Sequence, residues 1–245
     1  MSLHAIDRSA AERRGARMGG ASLLLATVLF MAVFSYLAAT FDYPDVLDRP
    51  AAEVLPRLLA LGDQGRAVWA LYGLVPLLLV PTAVGLSAVT RVVAPLATRG
   101  ATIAAVLAAF SMMLGLLRWP SLQWRLASAY VAATPTDQVT LTAVFDAANS
   151  YLGNFIGEFV GELALNAFFV LAAYALARSS GGRRQWLAYA GAAAGLLGFV
   201  AMFRNVTPAV SAAAEVNNLV LPVWMAVFGY ALLTHRSHPS SPPRS

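Results

Sequence analysis

Six stretches of this chain, each near twenty residues long, carry almost no charge, and that pattern limits what it can fold into. They run from about Gly20 to Thr40, Ala67 to Thr90, Ala101 to Leu117, Phe155 to Ala177, Trp186 to Phe203 and Val216 to Thr234. About 20 apolar residues in a helix cross the ~30 Å hydrocarbon core of a bilayer. Inside that core the backbone must satisfy its own hydrogen bonds, which a helix does and an open strand does not. A chain that is 59% hydrophobic and 12% charged, with a mean hydropathy of +0.66, cannot give every helix a wetted face. The expectation is an all-α fold: a six-helix transmembrane bundle with short extracytoplasmic amphipathic helices.

Arginine placement sets the expected orientation. Arg8, Arg13, Arg14 and Arg17 precede the first span, Arg91 and Arg99 join spans two and three, and Arg178, Arg183 and Arg184 join spans four and five. Arg236 and Arg244 follow span six. Placing all of these in the cytoplasm makes the alternate segments consistent, with both termini inside (N-in/C-in) and the protein in the cell (inner) membrane. The opposite segments collect Asp42, Asp45, Asp48, Glu53, Asp63, Asp137, Asp146 and Glu215. The chain then divides into a basic cytoplasmic N-terminus (1–19), the membrane domain (20–235) and a disordered Ser/Pro-rich cytoplasmic tail (236–245). The first span reads as an uncleaved anchor, because its apolar run is long and lacks a small-x-small cleavage pattern.

Two longer segments fall on the outer side. In the first, Val54, Leu55, Leu58 and Leu59 share a helical face, with Asp48 as the expected N-cap and Gly62 as the stop. In the second, Thr134, Pro135 and Asp137 fit an N-cap, a first-turn proline and a capping acid. Span four is therefore expected to be the lower half of a long helix that starts above the membrane. The tryptophans, mostly near span ends, read as interfacial anchors.

Missing residue types exclude much chemistry. All 17 basic residues are arginine, so a lysine Schiff base is ruled out; the lysine-free, alanine-rich usage fits a GC-rich bacterial genome. With no cysteine, and with His4, His235 and His238 confined to the polar ends, no thiolate, haem or zinc site is expected in the membrane. Cofactors and metals are expected to be absent. The net charge of +5 reflects orientation signals rather than a nucleic-acid surface.

Depth can be read from the cytoplasmic arginines at ~1.5 Å per residue. Arg118 lies about 28 Å above Arg99, and Arg204 about 30 Å above Arg184. Glu162 and Glu158 lie about 24 and 30 Å above Arg178, and Glu215 about as far above His235. Five ionisable groups are thus expected in one layer at the outer edge of the bundle. A carboxylate in hydrocarbon costs several kcal/mol, so Glu162 must be paired, protonated or next to water. On span four Asn154, Glu158, Glu162 and Asn166 recur every fourth residue as a polar stripe that curls by about 40° per step. Beside it Gly153, Gly157 and Gly161 form a small-residue ridge, and Gly191 and Gly195 form another on span five. Such ridges bring helices close and also offer a surface for homo-oligomerisation.

Two stretches carry a resemblance: Phe41 to Leu55 (FDYPDVLDRPAAEVL), and Arg118-Trp119-Pro120 through Tyr151-Leu152-Gly153 and Gly157-Glu158 to Gly161. They resemble an uncharacterised bacterial multi-span membrane family catalogued as a domain of unknown function. The resemblance implies a multi-span membrane protein and no activity. Relatives often carry a histidine after the glutamate, where this chain has Phe159, so a histidine-based metal role does not carry over.

The charged layer reads either as a structural ion-pair cluster that pins spans three to six together or as a polar pocket open to the outside, and the second reading makes the chain a membrane-embedded binding or regulatory protein. Its candidate ligand-binding residues are Arg118, Asn154, Glu158, Glu162, Asn166, Arg204 and Glu215, with a small anionic or lipid ligand as partner. Two alternatives are a small transporter or proton-coupled carrier using Glu162, and an intramembrane enzyme using the glutamates as acid and base.

Overall fold

The computed structural model of the chain describes residues 3–235. The expected disordered tail, with Arg236, His238 and Arg244, lies outside the described residues. Within them the protein is helical throughout, with no strand, and six helices are long and apolar enough to cross a membrane.

Helix α1 (Leu3–Phe41) begins well before Gly20, because the alanines, glutamate and arginines ahead of that glycine favour helix and no proline interrupts them. A short α2 (Ala51–Ala60) follows, preceded by Pro50 rather than capped by Asp48. Its buried face is Val54, Leu55 and Leu58, as the spacing predicts, and Pro56 lies on its exposed face, where a broken hydrogen bond costs least. Gly62, at φ +63°, is where the chain turns from α2 into the next helix. That helix is α3 (Gly62–Thr90), tightened to a 3₁₀ turn over Val75–Leu78 around Pro76.

Helix α4 (Pro95–Ala132) and helix α5 (Pro135–Ser179) both run past the membrane-crossing length, so span four is the lower part of a longer rod, as expected. The Thr134 hydroxyl caps α5, accepting from the Asp137 N–H and donating to the Asp137 carboxylate. Helix α6 (Gln185–Asn205) ends in a 3₁₀ turn over Met202–Asn205, and α7 (Pro208–Leu233) closes the chain.

The six long helices form a ring in chain order: α1 packs on α3, α3 on α4, α4 on α5, α5 on α6, α6 on α7, and α7 back on α1. Helix α2 sits over one end of the ring against the last turns of α4 and the start of α5. Opposite charges gather beside it, with Arg49 paired to Asp42 and Glu53, and Arg57 to Asp42. The other end holds the arginine-rich connections.

Glycine pairs set the spacing of several helices. Near the arginine-rich end, a Cβ on Gly85 would sit 2.6 Å from the Gly19 Cα. Farther along, a Cβ on Gly115 would sit 2.5 Å from the Gly157 Cα, so α4 and α5 touch backbone to backbone there. Gly161 faces Met112, Gly191 faces Ala173 and Trp224, and Gly195 faces Val170, so both ridges are filled by helices of the same chain.

The tryptophans depart from the interfacial reading. Trp69 and Trp119 are 0% and 1% exposed, and their rings stack at 4.9 Å inside the ring of helices. Phe41 meets both edge-on. Trp224 and Phe228 pack with Phe168 and Phe169 nearer the arginine-rich end. Only Trp186, at 51% exposure, lies on the surface as an anchor would. The ring encloses enough apolar volume to take these side chains, so burial wins over the interface.

Gly157→Ala places a methyl against the backbone of α4, which cannot shift as a side-chain tip can. We expect it to destabilise the protein by roughly 1–3 kcal/mol, and Gly100→Ala, which meets only the Leu171 Cδ1, to cost much less. Thermal unfolding of the two variants in one detergent checks the difference.

Candidate functional site

Two breaks in the regular helical ladder face each other across α4 and α5. In α4, Pro120 has no N–H to give, and the chain takes a π turn over Trp119–Gln123, with the Gln123 N–H donating to the Arg118 carbonyl at 2.8 Å. In α5 the π geometry extends over Asn149–Val160. Wider winding keeps residues four and five apart on one face, which presents Asn149, Gly153, Gly157 and Glu158 together.

Arg118 lies in the notch these breaks create. Its guanidinium packs on Gly153, where a Cβ would collide with it, and rests 5.0 Å from the Trp119 ring. It is only 6% exposed. Its Nε donates to Asn149 Oδ1 at 3.1 Å and its Nη1 to the Gly115 carbonyl at 2.6 Å. Gln123, fully buried, donates to the same Asn149 oxygen at 3.0 Å. Among the described residues no carboxylate comes within ion-pair distance of Arg118.

Arg204, from the 3₁₀ turn that ends α6, is bound differently. It grips Glu162 with two hydrogen bonds of 2.8 and 2.6 Å, and its Nη2 also reaches Glu158 Oε2 at 3.0 Å. One guanidinium therefore serves two carboxylates set four residues apart on α5. Their side chains are all less than a third exposed.

Both groups border one cavity of about 220 Å³ at the centre of the ring. All six long helices contribute to its wall. Arg118, Glu158, Glu162 and Arg204 are at the end nearer α2, together with Tyr43 and Tyr72. Phe30, Phe34, Val75 and Leu79 line the rest with Leu165, Leu221 and Met225. The cavity is polar at one end and apolar along its length. Tyr43 is half-buried as a residue, yet its phenol is enclosed, and burial with the nearby Glu158 charge pushes its pKa up to about 12. It therefore stays a neutral hydroxyl at any physiological pH.

Four of the seven residues singled out from the sequence thus meet at the cavity: Arg118, Glu158, Glu162 and Arg204. The other three do not line it. Asn154 is exposed on α5. Asn166 is buried against Gly198 of α6, since one further step of about 40° beyond Glu162 turns it off the cavity side. Glu215 is exposed on α7, roughly 100° around the helix from the face of Asn217, Asn218, Leu221 and Met225 that lines the cavity. The sequence reading missed Asn149, Gln123, Tyr43 and Tyr72. A proline two residues beyond Arg118 was the available sign that α4 changes geometry there.

A family model described as a domain of unknown function (DUF4386) matches residues 18–233, which takes in α1 from Met18 onward, the other five long helices and the whole cavity wall. No curated protein and no solved structure matches the chain.

Removing Arg204 leaves two partly buried carboxylates without their cation. We expect Arg204→Met to cost up to roughly 3–5 kcal/mol of stability, and the triple change Arg204→Met, Glu158→Gln, Glu162→Gln to cost less than the single one. Unfolding in detergent, compared across the two proteins, tests the coupling.

Proposed function

The chain belongs to this family of unknown function, and from that premise we propose that it is a membrane-embedded binding or regulatory protein whose site is the central cavity. One observation carries the reading: the ion cluster does not close on itself but borders an open, amphipathic space. A purely structural cluster would need only mutual pairing, and Arg204 with Glu158 and Glu162 already achieves that. Arg118 is held beside the space by neutral groups instead. Small-molecule sites have this character, with mostly apolar walls and a few placed polar groups.

The carrier reading draws less support. Glu162 is engaged by Arg204 through two hydrogen bonds, as a carboxylate in a fixed ion pair between α5 and α6 is. No geometry favours the enzyme reading.

In the proposed orientation both termini are cytoplasmic and the polar end of the cavity faces outward, in the inner membrane. The arginines of the connecting segments at one end support it, and Arg49 and Arg57 at the other end are offset by Asp42 and Glu53. The chain has no cysteine, so single cysteines can be read without background. A membrane-impermeant maleimide on intact cells is expected to label Thr136→Cys and to spare Arg183→Cys, both positions being exposed. The reverse labelling would invert the orientation.

For binding itself, gently extracted protein is expected to carry a lipid-sized ligand in native mass spectrometry. Leu221→Trp, which fills the cavity from α7, is expected to lose it while unfolding at a similar temperature. Wild-type protein free of any ligand, and unshifted in melting by every added amphiphile, would remove the reading.

A further inference from the structure

We propose that the ligand of the cavity is a zwitterionic amphiphile, its anionic group on Arg118, its ammonium toward Glu158, and its chain along the apolar wall. The proposal rests on the reading of the cavity as a ligand site and adds the chemistry of what occupies it.

Two arginines and two glutamates border the cavity, and their formal charges cancel. They are not distributed evenly. Arg204 bonds both Glu158 and Glu162, so that group of three carries one net negative charge. The balancing positive charge is Arg118, which is buried and, among the described residues, hydrogen-bonds to Asn149 and the Gly115 carbonyl. The site therefore has a positive and a negative pole on one wall, kept apart inside a medium of low dielectric.

Each ligand class meets this arrangement differently. A simple anion would pair with Arg118 and leave the negative pole without its counter-charge, which is costly where water is scarce. A simple cation would do the converse. A headgroup with both signs satisfies both poles and keeps the site neutral. Glu158 gives Arg204 one oxygen, Oε2, and a primary ammonium can donate to the carboxylate from the cavity side.

The remaining wall asks for an apolar chain. From the charged end, Phe30 and Phe34 on α1, Leu79 on α3 and Leu165 on α5 lead down to Met225 on α7. A soluble zwitterion would leave these surfaces unused, whereas an acyl chain buries them at about 25 cal/mol per Å².

The test uses full-length, delipidated protein in a neutral detergent and probes sharing one acyl chain. These are lysophosphatidylethanolamine (both signs), lysophosphatidic acid (anion only) and monoacylglycerol (no charge), with chain-free glycerophosphoethanolamine as the fourth. Binding is read by native mass spectrometry and by melting shift. The zwitterionic lipid is expected to bind about ten-fold more tightly than either other lipid, and the chain-free headgroup not at the same concentrations.

Glu158→Gln leaves the site with one net positive charge and is expected to switch preference to lysophosphatidic acid. Arg118→Gln is expected to lose the zwitterion without gaining the anion. If Arg118→Gln does not fold, the switch in Glu158→Gln carries the test alone. Equal binding of the three lipids, tighter binding of the anion by wild type, or no switch in Glu158→Gln would overturn the proposal while leaving a lipid pocket. Equal binding of the chain-free headgroup would overturn the amphiphile in favour of a soluble zwitterion. Failure of every probe to bind would take down the cavity reading as well.

Discussion

The backbone contact between Gly115 on α4 and Gly157 on α5 is what the polar layer depends on. With a side chain at either position the two helices would separate by several tenths of an ångström or more, and the groups above the contact would separate with them. Arg118 sits one turn beyond Gly115, Gly153 one turn beyond Gly157, and Asn149 one turn further again. The guanidinium can lie flat on Gly153 and still reach Asn149 Oδ1 because the helices are already in contact below. The π turn at Trp119–Gln123 begins just beyond this point on α4, and the π segment Asn149–Val160 runs through it on α5. Their wider winding is tolerated where glycines remove the side chains that would otherwise obstruct it.

Two ways of holding a buried cation stand side by side in this layer. Arg204 is neutralised directly, by bonds to two carboxylates on successive turns of α5. Arg118 is solvated instead: an amide oxygen, a backbone carbonyl and an indole face take the place of water, and its counter-charge is close by but not in contact. The first arrangement ties α6 to α5. The second leaves charge available at a cavity wall and contributes less to stability than a direct pair.

How much of this was legible in the sequence follows from what each inference needed. Depth needed only a count of residues along a nearly regular helix from a charged end, and the count put Arg118, Glu158, Glu162 and Arg204 in one layer, where the structure has them. Direction around the helix needed more. Glu215 shares the depth by counting but points away from the cavity, and Asn154 falls in a stretch whose winding is no longer α-helical. No periodicity rule marks a π segment of this length. Tyr43 was out of reach for another reason: it comes from the connection after α1, which the chain folds back so that its ring meets Trp69 and Tyr72. Trp69 and Trp119 misled because position near a span end is shared by interfacial anchors and by aromatics that plug the end of a bundle.

That aromatic plug helps explain why the cavity persists. A ring of six helices that collapsed fully would bring α1 and α7 onto α4 and α5 and fill the centre with side chains. Near the arginine-rich end this happens, with Phe168, Phe169, Trp224 and Phe228 in mutual contact. Toward α2, the stacked pair Trp69 and Trp119, edged by Phe41 and Tyr43, is bulky and rigid and holds α3, α4 and the end of α1 at fixed separation. Between the two aromatic layers the wall residues are too few to meet across the centre. The charged groups cannot collapse inward either, since burying them further without new partners would cost more than tighter apolar packing could offset. The open space thus follows from rigid aromatics at both ends and unpaired charge between them, and those same two features give it a polar end and an apolar length.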